Sequence, residues 1–527
     1  MKWKTSILLW LSIVLVPVAG FSAASEMFNN QIIIKYKADR EANSGKVRPQ
    51  HVVNNLETPG GEQLTFKRRL GDNSMVMQLP EGLTDEQVQD ALNALMLDPA
   101  VDFVHVDKRM YPAFVPNDPR YAEQWYLHEP FGINLPSAWD ISTGSSGVVI
   151  AVLDTGVLPH RELSAGRILT LQGVDLISDT YTANDGDGRD SDPTDPGDKV
   201  DPNDPDFLAL TPEQKNSLAG CLNNSNNSQS SWHGLSVIGV MAATADNTSD
   251  IAGIDFAARI LPIRVLGRCG GSVSDIVDAM RWAVGLHVNN VPDNPNPAKV
   301  INLSLSGDGE CSAGEQAAIN DVRSAGAIVI TAAGNEAEEI TSNQSEGIPG
   351  KSPANCEGVI VVGATTRSGD QTSYVNFGTA VDVSAPGGDS SDGVLTLSNT
   401  GTDGPVLDTL ALIQGTSFTT AQVSAVASLM YSVNNSLSPQ SVEAILSNTT
   451  QAFPAGSTCT TSTCGTGIVN ASAALSAAQS SSDGGGGCSL NTTQKFDPLW
   501  LFFMMLASFQ LARNYYASRR KNQNFNI

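Results

Sequence analysis

The chain begins with a charged tip and an apolar run: Lys2 and Lys4 precede Ile7 to Val18, and the small residues Ser22, Ala23 and Ala24 follow. This predicts a signal peptide over residues 1–24, since the run is too short and wrongly flanked for a retained span. Gln31 to Tyr36 is β-rich, Thr84 to Met96 has helical periodicity opened by a Thr84 cap, and Val101 to Val106 alternates as a half-buried strand. Together they predict a small α+β domain over residues 25–112. Pro112, Pro116 and Pro119 then mark an extended, accessible joint between Lys108 and Asn117.

Beyond the joint the pattern changes. Val148 to Leu153 is continuously apolar, as expected of a strand covered on both faces. Similar runs at Ile260–Leu266, Val300–Leu305, Ala327–Ala332, Val359–Gly363 and Ala380–Val383 are interleaved with helical patterns over Val273–Asn289, Ala313–Ala325 and Pro439–Ser447. The alternation predicts an α/β domain over residues 113–480, a mostly parallel sheet with helices on both faces. Residues 481–488 read as a Ser/Gly-rich linker and 489–527 as a hydrophobic segment with a basic tail.

Candidate chemistry falls at the ends of these elements. Asp154-Thr155-Gly156 follows the first strand of the larger domain at its carboxyl end, where open α/β sheets form sites. Ser231-Trp232-His233-Gly234 opens a helical pattern of small and apolar residues. Gly415-Thr416-Ser417 places a serine in the first turn of an amphipathic helix, where unpaired N–H groups and the dipole favour an anion. A serine hydroxyl is a poor nucleophile at neutral pH, so His233 is expected to take the Ser417 proton while Asp154 holds the imidazole. Asn335, at the end of another apolar strand, offers an amide to an oxyanion beside the Ser417 N–H. A second Asp-Thr-Gly, a His-Glu-x-x-His and a Gly-x-Ser-x-Gly are all missing from the sequence, which argues against aspartic, zinc and α/β-hydrolase chemistry. His160, the one rival base, falls in a loop and reads as structural.

In order and context, Asp154-Thr155-Gly156-Val157, His233-Gly234, Ser304-Leu305-Ser306-Gly307, Ala333-Gly334-Asn335 and Gly415-Thr416-Ser417 resemble the blocks of the subtilisin-like serine proteases over roughly residues 115–480. The resemblance implies a serine endopeptidase working through an acyl-enzyme. It also implies that residues 25–112 are an inhibitory propeptide, removed by the enzyme itself. Leu266, Gly267, Gly270 and Gly271, with Ser304, Leu305, Ser306 and Gly307, would form two edges holding an extended peptide by strand addition. Three positions depart from the family pattern: Ala421-Gln422 stands where Pro-His is usual, Leu235 where threonine follows His-Gly, and Ser306 where a pocket glycine is common. Seven cysteines in an exported chain point to disulfides. Cys459 and Cys464 lie close enough to close a small loop. Cys221, Cys269, Cys311 and Cys356 allow three pairings, of which the resemblance implies Cys221–Cys269 and Cys311–Cys356, leaving Cys488 single.

Charge adds to this picture. The chain carries a net −24, and residues 113–480 hold about 14 Lys and Arg against about 40 Asp and Glu. Such a surface repels nucleic acid and anionic membranes. Asp185, Asp187, Asp190, Asp192, Asp195 and Asp198 alternate with turn residues, an oxygen-rich pattern suited to structural calcium, although no cofactor is needed for the chemistry. At the end of the chain Gly484–Gly487, Cys488 and the apolar run around Leu499–Ala507 precede Arg513, Arg519, Arg520 and Lys521. The run is about 15 residues, or about 22 Å, short for a bilayer core of about 30 Å. The arrangement resembles the Gly-Gly sorting signal of Gram-negative secreted proteins, cut by a rhomboid-type protease. The expected product is exported, extracellular or at the outer cell surface, transiently anchored in the inner membrane and monomeric, with polypeptide substrates. The alternatives are a subtilisin-fold binding module and a processing protease of narrow specificity.

Overall fold

The computed structural model describes residues 27–37, 63–108, 114–218, 221, 228–341 and 350–481. The expected signal peptide, nearly all of the linker, Cys488 and the whole C-terminal segment lie outside the described residues. The chain divides into two compact units, Met1–Pro112 and Ala113–Ile527.

The first unit is a four-stranded antiparallel sheet of β1 (Met27–Tyr36), β2 (Thr65–Arg69), β3 (Met75–Gln78) and β4 (Val101–Lys108), in the order β2-β3-β1-β4. Helix α1 (Asp85–Leu97) begins at a capping box in which Thr84 and Gln87 satisfy each other's backbone N–H groups. Its Val88 and Leu95 pack with Ile32, Ile34, Met75 and Met77 into a core of their own.

The second unit is built on seven parallel strands: β5 (Val149–Asp154), β6 (Val174–Asp175), β7 (Arg259–Arg264), β8 (Val300–Leu303), β10 (Ile328–Ala332), β12 (Ile360–Thr365) and β13 (Val383–Pro386). They lie in the order β13-β12-β10-β8-β5-β7-β6. Short β9 (Gly307–Asp308) pairs with β11 (Lys351–Ser352), and β14 (Val394–Asn399) with β15 (Asp408–Ile413). The continuous apolar runs follow from burial on two faces. Ile150 and Val152 face the core beneath α2 (His233–Ala242) and α5 (Thr416–Val433), whereas Val149, Ala151 and Leu153 face the core beneath α3 (Val273–Ala283) and α4 (Ala313–Ser324).

Several boundaries differ from the sequence reading. Helix α3 ends at Ala283 rather than Asn289, because Gly285 takes φ +85° and the Leu286 N–H turns back to the Arg281 carbonyl. Strand β8 stops at Leu303, so that Ser304–Ser306 runs on as a free edge. The last strand of the sheet is Val383–Pro386, shifted from Ala380–Val383. The β14–β15 hairpin and helix α7 (Ala471–Ser480), which follows α6 (Pro439–Asn448), have no counterpart in the sequence reading.

Candidate active site

The carboxyl ends of β5, β8 and β10 and the amino ends of α2 and α5 meet at one place. Asp154 is the last residue of β5 and is 1% exposed. Its Oδ1 accepts the Thr155 N–H (2.8 Å) and lies 2.7 Å from His233 Nδ1. Its Oδ2 is buried with no partner among the described residues. A carboxylate only accepts, so Nδ1 carries the hydrogen and Nε2 keeps its lone pair.

His233 is the first residue of α2 and a quarter of its side chain is exposed. Trp232 before it is 2% exposed, takes φ 51° and donates Nε1–H to the Gly401 carbonyl at 2.7 Å, fixing the approach to the helix. Small residues let α2 sit close to its neighbours. A Cβ on Gly234 would stand 2.2 Å from the Gly156 carbonyl oxygen, and Ser236 exchanges hydrogen bonds with Leu397 and Thr396 of β14. Burial alone would lower the His233 pKa. The charge and hydrogen bond of Asp154, with Asp198 and Asp195 behind it, outweigh that and hold it above its ordinary value.

Ser417 is the second residue of α5, 6% exposed, after Gly415 at φ 147°. Its hydroxyl donates to the Ser304 carbonyl at 3.2 Å rather than to the imidazole, and the next ring, Phe418, lies 5.9 Å from that of His233. Three residues absent from the sequence reading lock it in place. Ser304 Oγ donates to the Ser417 carbonyl (2.9 Å), Asn302 Nδ2 donates to Ser304 Oγ (2.9 Å), and Ser424 Oγ donates to Asn302 Oδ1 (2.9 Å). A buried asparagine inside an apolar strand was the available signal, since it needs partners. Gln422, at the position of the family's usual histidine, donates to the Pro386 carbonyl and holds α5 on β13.

Asn335 follows β10 and is exposed. Its Oδ1 accepts both the N–H (2.9 Å) and the hydroxyl (3.0 Å) of Thr416, which orients the amide and leaves its NH2 free to serve as a donor. His233, Leu266, Gly267, Gly270 and Gly271, with Ser304, Leu305, Ser306 and Gly307, line one cavity of about 900 Å³. Cys269 and Cys221, joined to each other, line it too; Cys311–Cys356 and Cys459–Cys464 are the other disulfides of the described residues. His160, by contrast, is 6% exposed, with Nε2 on the Thr409 carbonyl and Nδ1 accepting the Glu162 N–H.

The six aspartates of the acidic segment are otherwise occupied. Asp185 meets Arg264 at 2.7 Å; Asp190 and Asp192 accept N–H groups two residues on. Asp195 accepts the Thr155 hydroxyl (2.7 Å) and the Gly197 N–H, and Asp198 accepts both donors of Ser231. Asp187 contributes its N–H to Asp185. Among the described residues no group of three or more His, Cys, Asp or Glu converges as a metal cage would, so this arrangement does not fit calcium. Asp195 instead braces the Asp154 turn, because the Thr155 hydroxyl it holds also accepts the Gly234 N–H at 3.0 Å.

Comparison with known proteins agrees with this geometry. The Subtilase family profile matches residues 145–481. An extracellular protease of Xanthomonas campestris is 39% identical over 86% of this chain and 74% of its own length. An extracellular basic protease of Dichelobacter nodosus is 35% identical over 85% of this chain and 70% of its own. Among solved structures, a protease of Pseudoalteromonas arctica is 44% identical with a TM-score of 0.61, covering 69% of this chain and all of that one. The chain therefore belongs to the subtilase family and is a subtilisin-like serine endopeptidase.

Proposed function

We propose that Asp154, His233 and Ser417 are the catalytic triad of an exported, extracellular endopeptidase that matures by cutting its own precursor. The observation that carries this reading is the 2.7 Å contact of the buried Asp154 carboxylate with His233 Nδ1, at a helix start facing the Ser417 helix. Substrate binding turns the Ser417 hydroxyl from the Ser304 carbonyl to His233 Nε2. The imidazole takes the proton as Oγ attacks the peptide carbonyl, then returns it to the leaving amine; water repeats the sequence on the acyl-enzyme. The Asn335 amide and the Ser417 N–H receive the oxyanion. The peptide lies extended between the Leu266–Gly271 and Ser304–Gly307 edges. Residues 25–112 serve as the inhibitory propeptide, and the tail after Ser481 as the sorting segment.

The test is the intact mass of the exported product of the wild type and of Ser417→Ala from a Gram-negative host. Loss of the segment ending near residue 112 in the wild type alone supports self-processing. Identical maturation of both chains refutes it.

A further inference from the structure

The cavity beside His233 has two unlike walls. Leu266, Val273, Ile276 and Met280 line one; Ser306, Asp308, Glu310, Glu315 and Ser352 line the other. Four carboxylates line the cavity in all, those of Asp198, Asp308, Glu310 and Glu315, and no lysine or arginine does among the described residues.

These carboxylates are unequally compensated. Asp198 is held by the two donors of Ser231. Asp308 pairs with Lys351 Nζ at 2.6 Å, but that buried ammonium is shared with Glu338 at 2.7 Å and Glu336 at 3.8 Å, so one positive charge is spread over three acids. Glu315 is only 6% exposed, and its oxygens accept from the Ser352 hydroxyl and the Ser312 N–H, both neutral donors. The dipole of α4 offsets part of the cost of burying that charge. A cation entering from the cavity would offset the rest.

The carboxylate wall also stands where the residue preceding the cleaved bond must point. It continues the Ser304–Gly307 edge on which the Ser417 hydroxyl rests. Ser306 Oγ lies 2.9 Å from where a Cβ on Gly334 would stand, next to Asn335.

Resting on the serine-peptidase reading of this site, we infer that the wall selects a lysine or arginine immediately before the cleaved bond, with Glu315 as the buried counter-charge and Glu310 as an outer one. Glu315 also closes a capping box with Ser312, a role glutamine fills equally well. Glu315→Gln therefore removes the charge and keeps the cap.

The test uses the mature protein and peptides that differ only before the bond: lysine against norleucine, and arginine against its neutral counterpart citrulline. The expected kcat/KM ratio is about 10 or more for each pair in the wild type, falling toward 1 in Glu315→Gln. A wild-type ratio near 1, or a ratio unchanged in Glu315→Gln, overturns the inference. Should that variant not fold, Glu310→Gln decides: a reduced ratio supports the inference and an unchanged one overturns it. Equal cutting of charged and neutral peptides defeats this inference alone. No cutting of any peptide, together with no organophosphate adduct on Ser417, defeats the peptidase reading on which it rests.

Discussion

His233 acts as a base only when unprotonated, so a pKa held above its ordinary 6.5 means protonation sets in early as the pH falls. The acid limb of kcat/KM for a neutral peptide should therefore have its midpoint above 6.5. Asp154→Asn should move that midpoint down and lower kcat by about 10⁴-fold, because the wrong tautomer is then favoured. Asn335→Ala removes one oxyanion donor and should lower kcat by about 10²–10³-fold with little change in KM. The reacting residues were legible in the sequence because a nucleophile, a base and a carboxylate each stood beside glycine at the end of a strongly periodic element. Asn302, Asp195 and Glu315 were not. Asn302 interrupts an apolar run without a partner nearby in sequence, Asp195 looked like one aspartate among six, and Glu315 looked like a helix cap; only the packed neighbours give each its work.

At the scale of elements, close approach decides what is tolerated. Gly234→Ala would drive a Cβ into the Gly156 backbone and should cost about 2–4 kcal/mol, read as a lower unfolding midpoint together with lost activity. Burial pushes the Asp195 carboxyl up from 3.8 to about 7. The folded state thus binds that proton more tightly than the unfolded chain. The group's stabilising contribution is full below 3.8 and is lost as the pH rises through about 7. Thermal stability should decline from about pH 5 to about pH 8, and Asp195→Asn, which keeps an acceptor for the Gly197 N–H, should flatten that decline. Elements of the sheet were legible because residues buried on both faces form unbroken apolar runs. The hairpin escaped because β15 is only partly buried along its length and β14 is too short to stand apart from its loops.

Across the whole molecule, the order in which strands lie side by side was not readable from periodicity, because β8 enters between β5 and β10 by pairing residues about 150 and 30 positions away. The disulfides act at the same range. Cys221–Cys269 closes a loop with a sequence separation of 48 onto the Gly267–Gly271 edge. Replacing both cysteines by serine should cost at most about 4 kcal/mol by chain entropy and raise KM more than it lowers kcat. The central claim, that this fold gathers Asp154, His233 and Ser417 into one reacting unit, is tested most directly by labelling the mature protein with diisopropyl fluorophosphate and mapping the adduct by peptide mass. The account predicts a single adduct on Ser417, formed far more slowly in His233→Ala, with casein hydrolysis lost in step with labelling. An unlabelled Ser417, or casein hydrolysis that survives Ser417→Ala, would contradict it.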